Sequence, residues 1–158
     1  MKKLFITAVI ATMFSVTAFA DGGKKASTET GENNVSYTAL TQFKSDFENV
    51  SNVVWTVTST SQSASFTQNN VKYTAYYDSI GQFWGLAQDV NVSTVTKAAK
   101  TTIAKKYSGY DVVKVTRFEA QDAEEPVVYF VDLKNATSEV IATISPVDGE
   151  LKNIDTIK

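Results

Sequence analysis

Apolar residues at Val35, Ala39, Leu40, Phe43, Phe47 and Val50 recur three or four positions apart, which lines them along one side of a helix. The spacing predicts a first helix over 37–48, broken by Asn49-Val50-Ser51-Asn52, where Asn and Ser offer the backbone competing hydrogen bonds. The period then drops to two. Val53-Val54-Trp55-Thr56-Val57-Thr58 alternates and is β-branched around a tryptophan, so Val53, Trp55 and Val57 are expected on one face of a strand. Polar turns then separate short strands over 64–67, 71–77 and 82–86. Helical spacing returns with Val95, Ala98, Ala99, Ile103 and Tyr107, with Ser93 as the expected N-cap and Gly109 as the stop. Strands over 111–119, 126–134, 139–145 and 150–154 complete the pattern, with an acidic loop at 120–125.

The two halves match at an offset of 60. Val35, Ala39, Phe43, Phe47, Val50, Val53 and Trp55 correspond to Val95, Ala99, Ile103, Tyr107, Tyr110, Val113 and Val115. Each half is a helix followed by about four antiparallel strands. The expected fold is therefore α+β, one antiparallel sheet of up to eight strands with both helices on one face. The stretch Val71 to Gly85 contains the clearest hairpin, and its turn Asp78-Ser79-Ile80-Gly81 is echoed around Asp148-Gly149.

A helix ending in Phe or Tyr, a short break, Val-x-Trp, an alternating strand and (Tyr/Phe)-Asp-x-x-Gly-x-(Phe/Trp) together resemble the PepSY-like, β-lactamase-inhibitor-protein-like (BLIP-like) secreted family typical of Bacteroidetes. The residues that carry the resemblance are Phe47, Val53, Trp55, Tyr77, Asp78, Gly81 and Phe83, echoed by Tyr107, Val113, Val115 and Gly149. It covers about 37–157 and implies a fold rather than an activity. The inhibitor that lends the family its name grips an enzyme with a concave sheet, but it is disulfide-bonded and this chain has no cysteine. The lineage so implied also makes Asp78-Ser79-Ile80 and Asp155-Thr156-Ile157 matches to an O-glycosylation acceptor pattern.

Lys2 and Lys3, an apolar run from Leu4 to about Val16, and Ala18-Phe19-Ala20 have the three parts of a secretory signal peptide, expected over 1–20. The run is shorter than the ~20 residues that span a bilayer, so no membrane insertion is expected after cleavage. Residues 21–36 begin with the polar stretch DGGKKASTETGENN and are expected to form a disordered leader, ahead of a single domain over 37–158. Without Lys2 and Lys3, thirteen basic residues face seventeen acidic ones, a net charge of −4. Nucleic acid is not expected as a partner, because its binding rests on a basic surface.

The chain has neither histidine nor cysteine, which removes the usual general base, the commonest metal ligand and the thiolate nucleophile. No catalytic residue, cofactor or metal site is expected. Thr94 with Lys97 and Thr102 with Lys105 imitate a hydroxyl-lysine spacing on an exposed helical flank. Glu119, Asp122, Glu124 and Glu125 form the densest carboxylate group, without the spacing or the glycine of a calcium loop. Strand alternation instead singles out Tyr76 and Trp84. If Phe83 joins Trp55 and Tyr77 beneath the helices, Tyr76 and Trp84 stand on the helix-free face as contact residues for a partner. The expected function is an exported, non-catalytic module that binds a protein or peptide of the cell envelope, as a binder or an inhibitor. The alternative is a carrier of a small ligand or of envelope stress, with a pocket between sheet and helices lined by Phe43, Trp55 and Tyr73.

Overall fold

A computed structural model describes residues 29–157. The expected signal peptide, 1–20, and the first part of the expected leader, 21–28, lie outside the described residues. Nine strands hydrogen-bond in chain order: β1 (Glu29–Thr30), β2 (Ser51–Val57), β3 (Ser61–Gln68), β4 (Val71–Asp78), β5 (Phe83–Asp89), β6 (Asp111–Ala120), β7 (Val127–Lys134), β8 (Glu139–Ile144) and β9 (Leu151–Thr156). Helix α1 (Tyr37–Asp46) lies between β1 and β2, and α2 (Lys97–Lys106) between β5 and β6. The fold is α+β with one antiparallel sheet, as the periodicity predicts.

The ninth strand comes from residues expected to lack structure. Glu29 and Thr30 pair with Val57 and Thr56, a 3-10 turn follows over Glu32–Asn34, and Val35 is buried. Strand pairing uses the backbone, so a polar composition does not exclude it, and the ordered region begins ahead of residue 37.

The described chain divides into two compact units. One contains 29–89 and 118–126, the other 90–117 and 127–157. In the first, Ser36 caps α1 by accepting a hydrogen bond from Ala39 N, and Ala39 and Phe43 face the strands. Phe43 is the hub of the core there, with ring centroids 5.3 Å from Phe47, 5.3 Å from Trp55 and 5.2 Å from Phe66. In the second, Ala99 and Ile103 of α2 pack on Val115, Val131, Ala142 and Ile144. The helices start at Tyr37 and Lys97, and the 3-10 turns before them at Glu32 and Val92. Trp55 and Val115 carbonyls accept from Gly31 N and Val90 N at 3.3 and 2.9 Å.

Two local expectations are corrected. The N-cap of α2 is Thr96, whose hydroxyl accepts from Ala99 N; Ser93 sits in the preceding 3-10 turn, capped by Asn91. Val53 does not share the buried face of Trp55. The β2–β3 register shifts between Ser51 and Val54, with Asn52 at φ 54°, so Val53 is 36% exposed and Val50 packs on the core in its place.

Candidate functional site

The site expected from alternation lies on the β4–β5 hairpin. Tyr73, Ala75 and Tyr77 face the core under α1. Phe83 joins them, with its ring 5.4 Å from Tyr77 and 6.1 Å from Phe47. Between the strands the register slips: Tyr77 pairs with Phe83, but Tyr76 pairs with Gly85. Trp84 is the extra residue of a β-bulge, so the strict alternation that would set it beside Tyr76 fails there. Trp84 is partly buried, belongs to neither core cluster and makes no ring contact among the described residues.

Tyr76 does point away from the α1 core, but it is not an exposed anchor. It is 8% exposed in the full-length chain, with its ring 6.2 Å from that of Phe118. Phe118 lies where a side chain on Gly85 would be: a Cβ there would come within 2.6 Å of the Phe118 ring and against the Glu119 carbonyl oxygen. Burial, and after it the charge of Asp89, pushes the Tyr76 phenol up to about 12. What sequence reasoning missed is the glycine at position 85, which invites a ring from β6 onto the face.

The turn between β4 and β5 is fixed to the helix. The Asp78 carboxylate accepts from Ile80 N at 2.9 Å and Gln82 N at 2.8 Å, and Gly81 at φ 93° lies against Ser36 and Ala39. The buried Gln62 amide closes the joint. Its oxygen accepts from Ser36 N at 2.7 Å, and its nitrogen donates to Ser36 Oγ and to the carbonyls of Asp78 and Ser79. Gly149, at φ 75°, lies against Ala98 and Thr102 of α2 in the other unit, and Asp148 Oδ1 accepts from Glu150 N. Ser79 and Ile80 project from the turn as exposed residues.

The other candidates are occupied or dispersed. Thr94 and Thr102 donate to the carbonyls of Asn91 and Gly149 at 2.7 and 2.6 Å, so neither hydroxyl is directed at a lysine. Glu119, Asp122, Glu124 and Glu125 belong to the β6–β7 hairpin, closed by Ala120 N donating to Pro126 O at 2.6 Å. No group of three acidic side chains among the described residues converges as a metal site. Phe43, Trp55 and Tyr73, expected to line a pocket, belong to a mutually packed ring cluster in which Phe66 stacks on Tyr73 at 5.8 Å. In the other unit Asp132 has a carboxylate oxygen buried without a partner. Burial first and the Glu139 charge next push its carboxyl up, against the opposing pull of Lys134 and Lys114. Among the described residues no helix is long and apolar enough to cross a membrane.

No family model matches the chain, and no curated protein matches it. Solved structures do. A DUF2874 family protein from Bacteroides uniformis superposes with a TM-score of 0.69 at 18% identity, over 78% of this chain and 90% of the other. A BLIP-like protein from Bacteroides fragilis gives 0.66 at 15% identity, over 77% and 86%. A candidate periplasmic protein from Bacteroides eggerthii gives 0.68 at 14% identity, over 77% and 88%. At these identities the likeness establishes a shared fold.

Proposed function

We propose that the chain is an exported, non-catalytic binding module that holds a protein or peptide of the cell envelope against the helix-free face of its sheet, as a binder or an inhibitor. The observation that carries the reading is the bulge at Trp84. A bulge re-aims a side chain out of the strand alternation. Here it sets a partly buried Trp84 outside the ring cluster to which Trp55, Phe66, Tyr73, Tyr77 and Phe83 belong, while Tyr76 packs against Phe118. Tryptophan gives a large contact area at small entropic cost, which suits a partner anchor. The BLIP-like and candidate periplasmic descriptions of the fold neighbours support an exported role, and the signal-like 1–20 points the same way. Kinship with PepSY-like secreted domains belongs to the same reading, as does a soluble location in the periplasm or outside the cell.

The test is capture from an envelope extract with the chain starting at Asp21, compared with Trp84→Ala. Trp84 supports no core cluster, so the variant is expected to keep its circular dichroism spectrum and to lose the captured partner at least tenfold. Identical recoveries from both would remove Trp84 as the anchor and this reading with it.

A further inference from the structure

The two units carry charge of opposite sign. Among the described residues, the unit holding α1 has ten acidic and two basic residues, and the unit holding α2 has six acidic and eight basic. The positive excess comes from α2 itself. Lys97, Lys100, Lys105 and Lys106 are exposed along it, and the helix contains no acidic residue. Sixty positions earlier α1 has Tyr37, Leu40, Ser45 and Asp46 in their places. Packing is done in both helices by other residues, Ala39 and Phe43 in α1 and Ala99 and Ile103 in α2. The fold therefore does not require four lysines on the outside of this helix.

Helix energetics oppose part of the pattern. Lys97 is the first residue of α2, where the helix dipole is positive, and no acidic residue stands in the first turn to offset it. Lys100 follows at a spacing of three, at which like charges face each other on a helix. The dipole favours Lys105 and Lys106 in the last turn, and so accounts for only two of the four. Lys100 Nζ donates to Ser93 O at 2.7 Å, a contact that leaves its charge in place. Among the described residues no carboxylate pairs with any of the four, unlike Lys134 on Glu139 and Lys152 on Glu150. Solubility does not require them either, because they lower the net charge of an acidic chain.

Such a face gains from an anionic occupant, and the acidic unit of another copy has the complementary charge. We propose that the exposed side of α2 docks a second copy of this chain through that copy's acidic unit. The two surfaces in contact are different, so the association is head-to-tail. Exposed ion pairs contribute little each and are screened by salt, so it is weak and confined to low ionic strength. The proposal goes beyond the Trp84 reading and does not rest on it.

The test compares the chain starting at Asp21 with its Lys97→Glu/Lys100→Glu variant. Both changes put an anion near the positive end of the helix, so the variant is expected to fold at least as stably, which circular dichroism and urea unfolding check. Sedimentation velocity should show concentration-dependent association of the wild type at about 20 mM salt, lost at about 500 mM, and at least tenfold weaker in the variant. The variant keeps its acidic unit. It should therefore still bind immobilised wild-type chain and fail to bind immobilised copies of itself. A wild type that stays monomeric at low salt would overturn the proposal, and its binding to anionic phospholipid vesicles would then make a lipid surface the occupant. Association of the variant equal to that of the wild type would overturn it too, as would failure of the variant to bind the wild type.

Discussion

Gly81 and Gly149 are constrained twice over, by conformation and by space. Both have positive φ, and a Cβ at Gly81 would meet Ala39 N at 2.7 Å, while one at Gly149 would meet Ala98 O at 2.5 Å. Gly109 also has positive φ, 90°, but a Cβ there meets nothing within 4 Å. Gly109→Ala is therefore expected to cost only the left-handed penalty, about 1–2 kcal/mol, and Gly81→Ala or Gly149→Ala about 3 kcal/mol or more, because hairpin and helix must also separate. Urea unfolding of the three variants checks the order. Tyr76 makes a second residue-level prediction. Its phenol is held up to about 12 in the full-length chain, first by burial and then by Asp89. A raised folded value means that the folded state keeps its proton longer than the unfolded state. The stability so conferred is complete below pH 10 and lost as pH rises from 10 to about 12, on the order of 2 kcal/mol. Phenolate absorbance should show a tyrosine, missing in Tyr76→Phe, that titrates well above the ordinary range, alongside Tyr77 and Tyr107, whose phenols burial also raises.

At the level of elements, both helices begin by the same device, a hydroxyl accepting from the amide three residues on, Ser36 to Ala39 and Thr96 to Ala99. Thr96→Ala is expected to destabilise by about 1 kcal/mol, whereas Ser93→Ala, in the exposed 3-10 turn, should change stability by less than about 0.5 kcal/mol. Chemical denaturation of the two variants decides which residue is the cap. The helices also end alike: Phe47 N–H closes α1 on Phe43 O and Tyr107 N–H closes α2 on Ile103 O, with Lys44 in one last turn and Lys105 and Lys106 in the other, where cations complement the helix dipole. The β4–β5 hairpin combines a tight turn fixed to α1 with a bulge that breaks the alternation of its second strand.

For the whole molecule, cohesion rests on packing and backbone hydrogen bonds, since the chain has no cysteine with which to staple itself. Removal of the expected signal peptide, with Lys2 and Lys3, would take the net charge from −2 to −4. The protein recovered from the cell envelope is expected to begin at Asp21, which intact mass measurement resolves. Recovery of the chain with 1–20 still attached would remove the export reading.

The order of the two helices and of β2 to β9 is legible from period, because each apolar position in Ala39-Phe43-Phe47 or Tyr73-Ala75-Tyr77 reports a local geometry of 3.6 or two residues, whereas the polar β1 carries no such signal. The absence of histidine and cysteine likewise bounds the chemistry without any coordinates. Bulges are a matter of pairing, and a single sequence does not display its partner strand. Hence Val53 leaves the core face and Trp84 leaves its expected place beside Tyr76, though both obey the alternation on paper. The cap of α2 depended on whether the helix starts before or after a 3-10 turn, a choice made by where Val95 must be buried. The depth of Tyr76 was decided by Phe118, forty-two residues further on, which finds room only because position 85 has no side chain. Local periods travel along the chain and can be read there; occupancy of a face is set by residues distant in sequence, and only tertiary structure brings them together.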